Sequence, residues 1–170
     1  MISAATARNK YTGNNTTATY AYGFKVFDED HIKVTMRTAL GVESTLTIDT
    51  DYTVTGVGEE AGGNIVLVDN DQDWLDGVSN YLDDDMELTI TRNIPLTQGD
   101  DYANQTDFYP ETHEATYDKL VMMIQQLQEQ INRCVKVSIA DYTSEMVLPS
   151  VADRASLSFT FDADGLPTAE

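Results

Sequence analysis

Short runs in which apolar and polar residues alternate occupy the chain between residues 18 and 91. Alternation with a period of two is typical of β-strands that bury one face. Turn-forming residues separate the runs about every ten residues, and no helical periodicity interrupts them. Strands without intervening helices predict an antiparallel β-sandwich or small barrel. The predicted strands are 18–26, 32–36, 45–48, 52–55, 65–68 and 86–91, with a further short strand at 157–161.

One long helix is predicted to follow these strands, from Pro110 to Cys134. Its apolar positions are separated alternately by four and three residues, which is the period of 3.5 found in helices that pack against copies of themselves. Pro110 suits the first turn of a helix, and Glu111 and Glu114 suit the positive end of its dipole. The predicted seam consists of His113, Tyr117, Leu120, Ile124, Leu127, Ile131 and Cys134.

This apolar stripe has two interpretations. A stripe at helical spacing commonly packs on the helix's own domain. Here the stripe is narrow, keeps its spacing for three heptads, and has no second long helix in the chain as a partner. We therefore favour self-association, in which burial of each Leu or Ile side chain stabilises by about 1.5–3 kcal/mol. The mixture of Tyr, Leu and Ile does not by itself distinguish a dimer from a trimer. The polar face, which includes Gln125, Gln126 and Gln128, is expected to point outwards.

The net charge of −19 limits the classes of partner. From Asp49 to Asp118 there are eighteen acidic residues and one basic residue, Arg92. Such a surface repels nucleic acid and anionic lipid, so we expect neither nucleic acid nor a membrane as a partner. No apolar run approaches the length of about eighteen residues that a membrane span requires. A basic protein surface or divalent cations would suit this charge.

One acidic loop resembles the start of a calcium-binding loop. Asp69, Asp71 and Asp73 have the spacing of the first EF-hand ligands. Trp74 stands where that loop needs glycine, and Asn80 stands where it needs a bidentate glutamate. We predict a solvated acidic loop, with a weak Ca²⁺ site as the alternative. The run from Asp83 to Asp85 has the same two interpretations, and a solvated loop is again favoured.

The remaining reactive residues do not predict catalysis. His31 and His113 lie on different predicted elements, and no glycine-rich loop has a phosphate-binding pattern. The lone Cys134 excludes an intrachain disulfide and a cysteine-based zinc site. We therefore expect a non-enzymatic chain without cofactors. At the seam, three copies of His113 would repel one another when protonated near pH 6, which is a hypothesis for a pH switch against the simpler view of an exposed first-turn histidine.

Five segments occur in this order along residues 20–135: YAYGFKVFDEDHIKV, LTIDTDYTVTGVG, GGNIVLV, LTITRNIPLTQGDDY and FYPETHEATYDKLVMMIQQLQEQINR. Together they resemble the N-terminal virion-anchoring region of bacteriophage tail fibres and tailspikes from short-tailed phages. The resemblance implies a homotrimer that attaches the fibre to the virion tail and performs no chemistry itself. It also implies synthesis in the cytoplasm of the bacterial host and a final location in the virion. The insertion at 70–85 is longer and more acidic than the family pattern.

The resulting division of the chain has four parts. Residues 1–17 are predicted to form an N-terminal arm, 18–109 a β-sandwich virion-anchoring domain, 110–136 a trimeric coiled-coil helix, and 137–170 a linker with a short strand. The linker is expected to lead to a distal host-adhesion or glycan-degrading region outside this sequence. The expected partner is a phage tail or portal-type protein, or another fibre.

Two other functions are open at this point. Tyr20, Tyr22, Tyr52 and Trp74 are candidate sugar platforms of a carbohydrate-binding β-sandwich. Alternating aromatic residues in strands are more often core or interface residues. The chain is alternatively a non-catalytic part of a glycan depolymerase.

Overall fold

The computed structural model describes residues 2, 6–69, 74–75, 80–98, 109–136, 138–140, 148–161 and 167–169. The chain divides into two compact units, Met1–Asn132 and Arg133–Glu170. The first unit contains the strands of the predicted range 18–91 together with the long helix. The described part of the second unit contains short elements.

Among the described residues of the first unit, seven strands form two antiparallel sheets. They are β1 (Arg8–Thr12), β2 (Thr19–Tyr22), β3 (Ile32–Arg37), β4 (Glu43–Thr45), β5 (Tyr52–Thr55), β6 (Gly63–Leu67) and β7 (Glu87–Arg92). One sheet has the strand order β1-β7-β3-β4, and the other has the order β2-β6-β5. Neighbouring strands in both sheets are antiparallel.

Both sheets contribute to one apolar core. On β3, Ile32, Val34 and Met36 are buried, whereas the residues between them are more exposed. On β7, Leu88 and Ile90 are buried in the same alternating manner. The period-two pattern therefore identified the buried face of the sheets correctly. The prediction of a mainly β chain with antiparallel sheets and one long helix is confirmed.

The structure differs from the sequence prediction in the bounds of several strands. Residues 8–12, predicted as part of a loose arm, form the edge strand β1, which pairs with β7. Strand β2 ends at Tyr22, after which the Gly23 N–H donates to the side-chain oxygen Oδ1 of Asn9, on β1, at 3.0 Å instead of to a backbone carbonyl. Strand β4 begins at Glu43, two residues before the predicted start at residue 45, and ends at Thr45 instead of at residue 48. Gly41 adopts a positive φ of 83° in the turn before Glu43.

Helix α1 extends over Pro110–Asn132, two residues short of the predicted end at Cys134. The second unit contains the short helix α2 (Val151–Arg154) and a hairpin of β8 (Phe159–Phe161) and β9 (Pro167–Ala169). Ser150 precedes α2, and its hydroxyl donates to the Asp153 carboxylate at 2.6 Å. No helix among the described residues is both long enough and apolar enough to cross a membrane.

Candidate interaction surface on helix α1

Helix α1 has two opposite faces with different roles. If Ile124 and Leu120 occupy positions a and d of the heptad, six α1 residues with hydrogen bonds, ion pairs or buried side chains against the described β-sheet part of the chain lie at positions b, c and f. These positions lie on the side of a helix roughly opposite to a and d, because successive residues are about 100° apart. The residues are Asp118, Lys119, Met122, Gln125, Gln126 and Glu129.

Gln126 anchors the centre of this inner face. Its Nε2 donates to the Ile94 carbonyl at 3.3 Å, and the Ile94 N–H donates to its Oε1 at 2.8 Å. Gln126 is buried, as is Met122 one turn earlier. The prediction that Gln126 belongs to the outward face is therefore wrong. Ile94 follows the end of β7, where its backbone is not paired with a neighbouring strand. The side-chain amide of Gln126 therefore satisfies the N–H and carbonyl of Ile94, which would otherwise be buried without hydrogen-bond partners.

Arg92, the single basic residue of the acidic region, is buried beneath the same face and is 3% exposed. Its Nε donates to the Lys25 carbonyl at 3.1 Å and its Nη1 donates to Gln125 Oε1 at 2.7 Å. The guanidinium lies 5.1 Å from the centre of the Phe24 ring. Burial lowers the pKa of Arg92 to about 10. Its Nη2 is buried and has no hydrogen-bond partner within the described part of the chain.

Ion pairs complete the contact between α1 and the sheets. Lys25 Nζ lies 2.9 Å from a Glu60 carboxylate oxygen and 3.6 Å from one of Asp118. The hydrogen bond to Glu60 is the largest cause of a raised pKa at Lys25. At the other end of the contact, Arg8 lies 3.6 Å from Glu129. Ion pairs near the surface contribute little to stability, so they orient the helix more than they stabilise it.

The predicted seam lies on the opposite side of α1 and is not covered by the β-sheets. Its large apolar side chains are exposed, and Tyr117 and Ile124 are the most exposed within the helix, at 65% and 64%. His113 is half-buried, and Cys134 is exposed beyond the helix end. The helix therefore does pack on its own sheets, but through its polar face and not through the apolar stripe. The exposed seam residues are Tyr117, Leu120, Ile124, Leu127 and Ile131.

The candidate calcium loop lies largely outside the described residues, because Asp71 and Asp73 fall there. Asp69, the first of the three aspartates, is exposed. Asn80 Nδ2 donates to the Leu67 carbonyl at 2.8 Å, and Trp74 is buried in the core. These two residues therefore have structural roles. In the described ranges, no group of three or more His, Cys, Asp or Glu side chains is placed to hold a metal ion.

The candidate sugar platforms are not on the surface. Tyr20, Tyr22, Tyr52 and Trp74 are all buried in the apolar core. All three tyrosine hydroxyls donate to backbone carbonyls: Tyr20 to Thr17 at 2.8 Å, Tyr22 to Thr55 at 2.6 Å and Tyr52 to Ile32 at 3.3 Å. Their burial agrees with the core role that alternating aromatic residues usually have, and it contradicts the alternative in which they stack on sugars, because an aromatic face needs exposure to bind a glycan.

The sequence similarity agrees with the resemblance predicted from the five segments. It relates this chain to bacteriophage tail proteins of the tailspike and tail-fibre type. The tail spike protein of Salmonella phage epsilon15 is 33% identical over 135 residues, which are 79% of this chain and 12% of that relative. The chain thus matches about an eighth of the relative's length. No protein-family model matches the chain.

Proposed function

We propose that this chain is a structural module that attaches a trimeric tail fibre or tailspike to the virion tail. The observation that carries the proposal is the exposed row of large apolar residues on α1, opposite the face that binds the chain's own sheets. An exposed apolar surface of this regularity is typical of a protein interface. The similarity to a phage tail spike protein supplies the biological setting.

In the proposed assembly, three α1 helices run parallel and bury their a and d residues at a common axis. Positions b, c and f already bind the sheets of the same chain, so the three β-sheet units surround the helices on the outside. The helix is thus supported along its outer side, which differs from a free stalk. Each layer that buries a Leu or Ile side chain contributes about 1.5–3 kcal/mol per side chain. The number three follows from the family resemblance.

The β-sheet unit and the N-terminal residues face the virion in this proposal. The partner is a tail or portal-type protein, or the corresponding region of another fibre. With a net charge of −19, the chain is complementary to a basic surface. Attraction between exposed opposite charges falls with ionic strength, so attachment is expected to weaken as salt is added.

A binding experiment with virions tests the attachment role. The labelled chain is mixed with particles of its own phage that lack fibres, and co-sedimentation is measured from low to high salt. We expect binding at low salt that weakens as salt rises. Absence of binding would contradict the attachment role, and equal binding at all salt concentrations would contradict a basic dock. A chain with polar substitutions at Leu120, Ile124 and Leu127 is the matched control and should bind more weakly, because it loses multivalency.

The full protein is proposed to carry its host-adhesion or glycan-degrading function outside this chain. The match to the tail spike protein covers too little of that relative to transfer its activity. The chain itself is proposed to be non-catalytic. Release of sugar from a host capsular glycan by these 170 residues alone would contradict this proposal.

A further inference from the structure

An apolar groove lies beside the seam, between α1 and the segment that follows β7. Its volume is about 340 Å³. Leu96 forms one wall, and Thr116, Leu120 and Met123 of α1 form the other. Leu120 belongs to both the groove and the predicted seam, so the groove is continuous with the proposed interface. Leu96 is 59% exposed, although it lies next to other apolar side chains.

The walls of this groove are held in place by hydrogen bonds. Lys119 Nζ donates to the Thr97 carbonyl at 2.9 Å, which ties the segment after β7 to the helix. Two residues before Leu96, the Ile94 backbone is bound by Gln126. The groove is therefore formed within a single chain before any partner binds.

On the other flank of α1, Val121 and Tyr117 are exposed, at 42% and 65%. Val121 is not an a or d residue, so the seam alone does not explain its exposure. Val121 occupies position e of the heptad. Because successive residues are about 100° apart, this position lies roughly 150° around the helix axis from the groove. Val121 therefore points away from the groove of its own chain.

A parallel arrangement of the helices brings these two flanks together. In a parallel coiled coil, a residue at position g lies beside the e residue five positions later on the adjacent helix. Thr116 is at position g and lines the groove, and the e residue five positions later is Val121. We propose that the groove beside Leu96 binds Val121 of the adjacent copy, with Tyr117 of that copy covering its edge. This inference rests on the proposed self-association.

In this proposal the groove determines the orientation and register of the helices, because charged residues at the helix flanks do not. Positions e and g of coiled coils commonly carry opposite charges that determine partner and orientation. In α1 these positions carry no basic residue, so no such ion pair forms between the helices. A groove built partly from the β-sheet unit accepts Val121 only when the helices are parallel and in register. The e residues are Glu114, Val121 and Gln128, and the g residues are Thr116, Met123 and Gln130.

Cysteine cross-linking tests this contact directly. The 170-residue chain carries Leu96→Cys and Val121→Cys, with Cys134→Ser to remove the native thiol. After mild oxidation, we expect covalently linked dimers and trimers on a denaturing gel without reductant. The matched control replaces Leu96→Cys by Leu40→Cys, in the turn between β3 and β4, where the side chain is 93% exposed. This control should remain unlinked.

Light scattering of the same variant before oxidation separates the two proposals. A trimer that cross-links supports the groove contact. A trimer that does not cross-link, or that links no better than the Leu40 control, overturns the groove contact and leaves the attachment proposal standing. If the native chain is itself a monomer at every concentration, both proposals are overturned.

Substitution of the groove wall gives a second readout. Because Leu96 is exposed in the single chain, Leu96→Asp should preserve the fold as judged by circular dichroism. We expect it to raise the concentration at which the assembly dissociates by about tenfold or more, given the apolar burial lost. Leu40→Asp is the matched control and should leave that concentration unchanged. Equal dissociation of both variants would overturn the contact.

Discussion

The side-chain amide of Gln126 pairs with both backbone groups of Ile94, from which it is separated by 32 residues in sequence. The pairing joins the middle of α1 to the segment that leaves β7. It uses the polar side of the helix and leaves the apolar side exposed. This contact, together with the other bonds of the inner face, leaves the opposite face of the helix available to other copies of the chain.

Replacement of Gln126 by Ala is expected to lower the free energy of unfolding by about 1–3 kcal/mol, because it leaves the buried Ile94 groups without partners. Denaturant unfolding at equal protein concentration measures the change, since self-association makes stability depend on concentration. Gln130→Ala is the control, because Gln130 is exposed on the same helix. Similar losses in the two variants would show that the Ile94 pairing is not important for stability.

A glycine pair tests the close approach between the turn before β6 and the end of β2. Gly62 and Gly58 both have positive φ, 81° and 86°. A Cβ at Gly62 would collide with the Tyr22 carbonyl, whereas a Cβ at Gly58 would meet nothing. Gly58→Ala should lower the free energy of unfolding by only about 1 kcal/mol, the cost of the left-handed backbone. Gly62→Ala should cost clearly more in thermal unfolding, and an equal loss would contradict the packing.

His31 is expected to make stability depend on pH. Burial lowers the pKa of His31 below its usual value of 6.5, and Lys119 adds to this effect against the opposing charges of Asp28 and Asp30. As the pH falls below 6.5, the His31 imidazole becomes protonated in the unfolded chain, whereas in the folded chain it stays neutral until the pH reaches its lower pKa. The free energy of unfolding therefore decreases over this interval. Above pH 6.5 this contribution disappears.

The measurement for His31 is the free energy of unfolding between pH 7.5 and pH 5, for the native chain and for His31→Phe. The native chain should lose more stability over this interval than the variant, because only the native chain has this imidazole to protonate on unfolding. If both curves have the same slope below pH 6.5, His31 is not the group responsible.

The sequence predicted those parts of the fold that depend on local periodicity. Alternation identified the buried face of β3 and β7, and the heptad spacing located α1. Strand β1 was missed because residues 8–12 form an edge strand whose side chains are mostly half-buried, so it lacks a clear apolar alternation. Its place in the sheet comes from backbone pairing with β7.

The inner face of α1 was less predictable for a different reason. A glutamine on an amphipathic helix is normally assigned to the solvent side. The partners of Gln126 are the backbone N–H and carbonyl of Ile94, and the need for such a partner becomes visible only once the sheet has folded. Arg92 could be recognised in the sequence as the single base among many acids, yet its burial against Lys25 and Gln125 depends on contacts distant in sequence. Met122 was the available signal for a second buried face, because it is an apolar residue on the helix face that also carries Asp118, Lys119, Gln125 and Gln126.

The central claim is that the exposed row on α1 holds copies of the chain together. We would measure the mass of the 170-residue chain by light scattering across a dilution series, beside a variant with polar residues at Leu120, Ile124 and Leu127. A control variant carries polar residues at Leu40, Val42 and Val57, which are exposed outside the helix. The account predicts a trimer for the native chain and the control, and a folded monomer for the seam variant. A native chain that is monomeric at every concentration would contradict it.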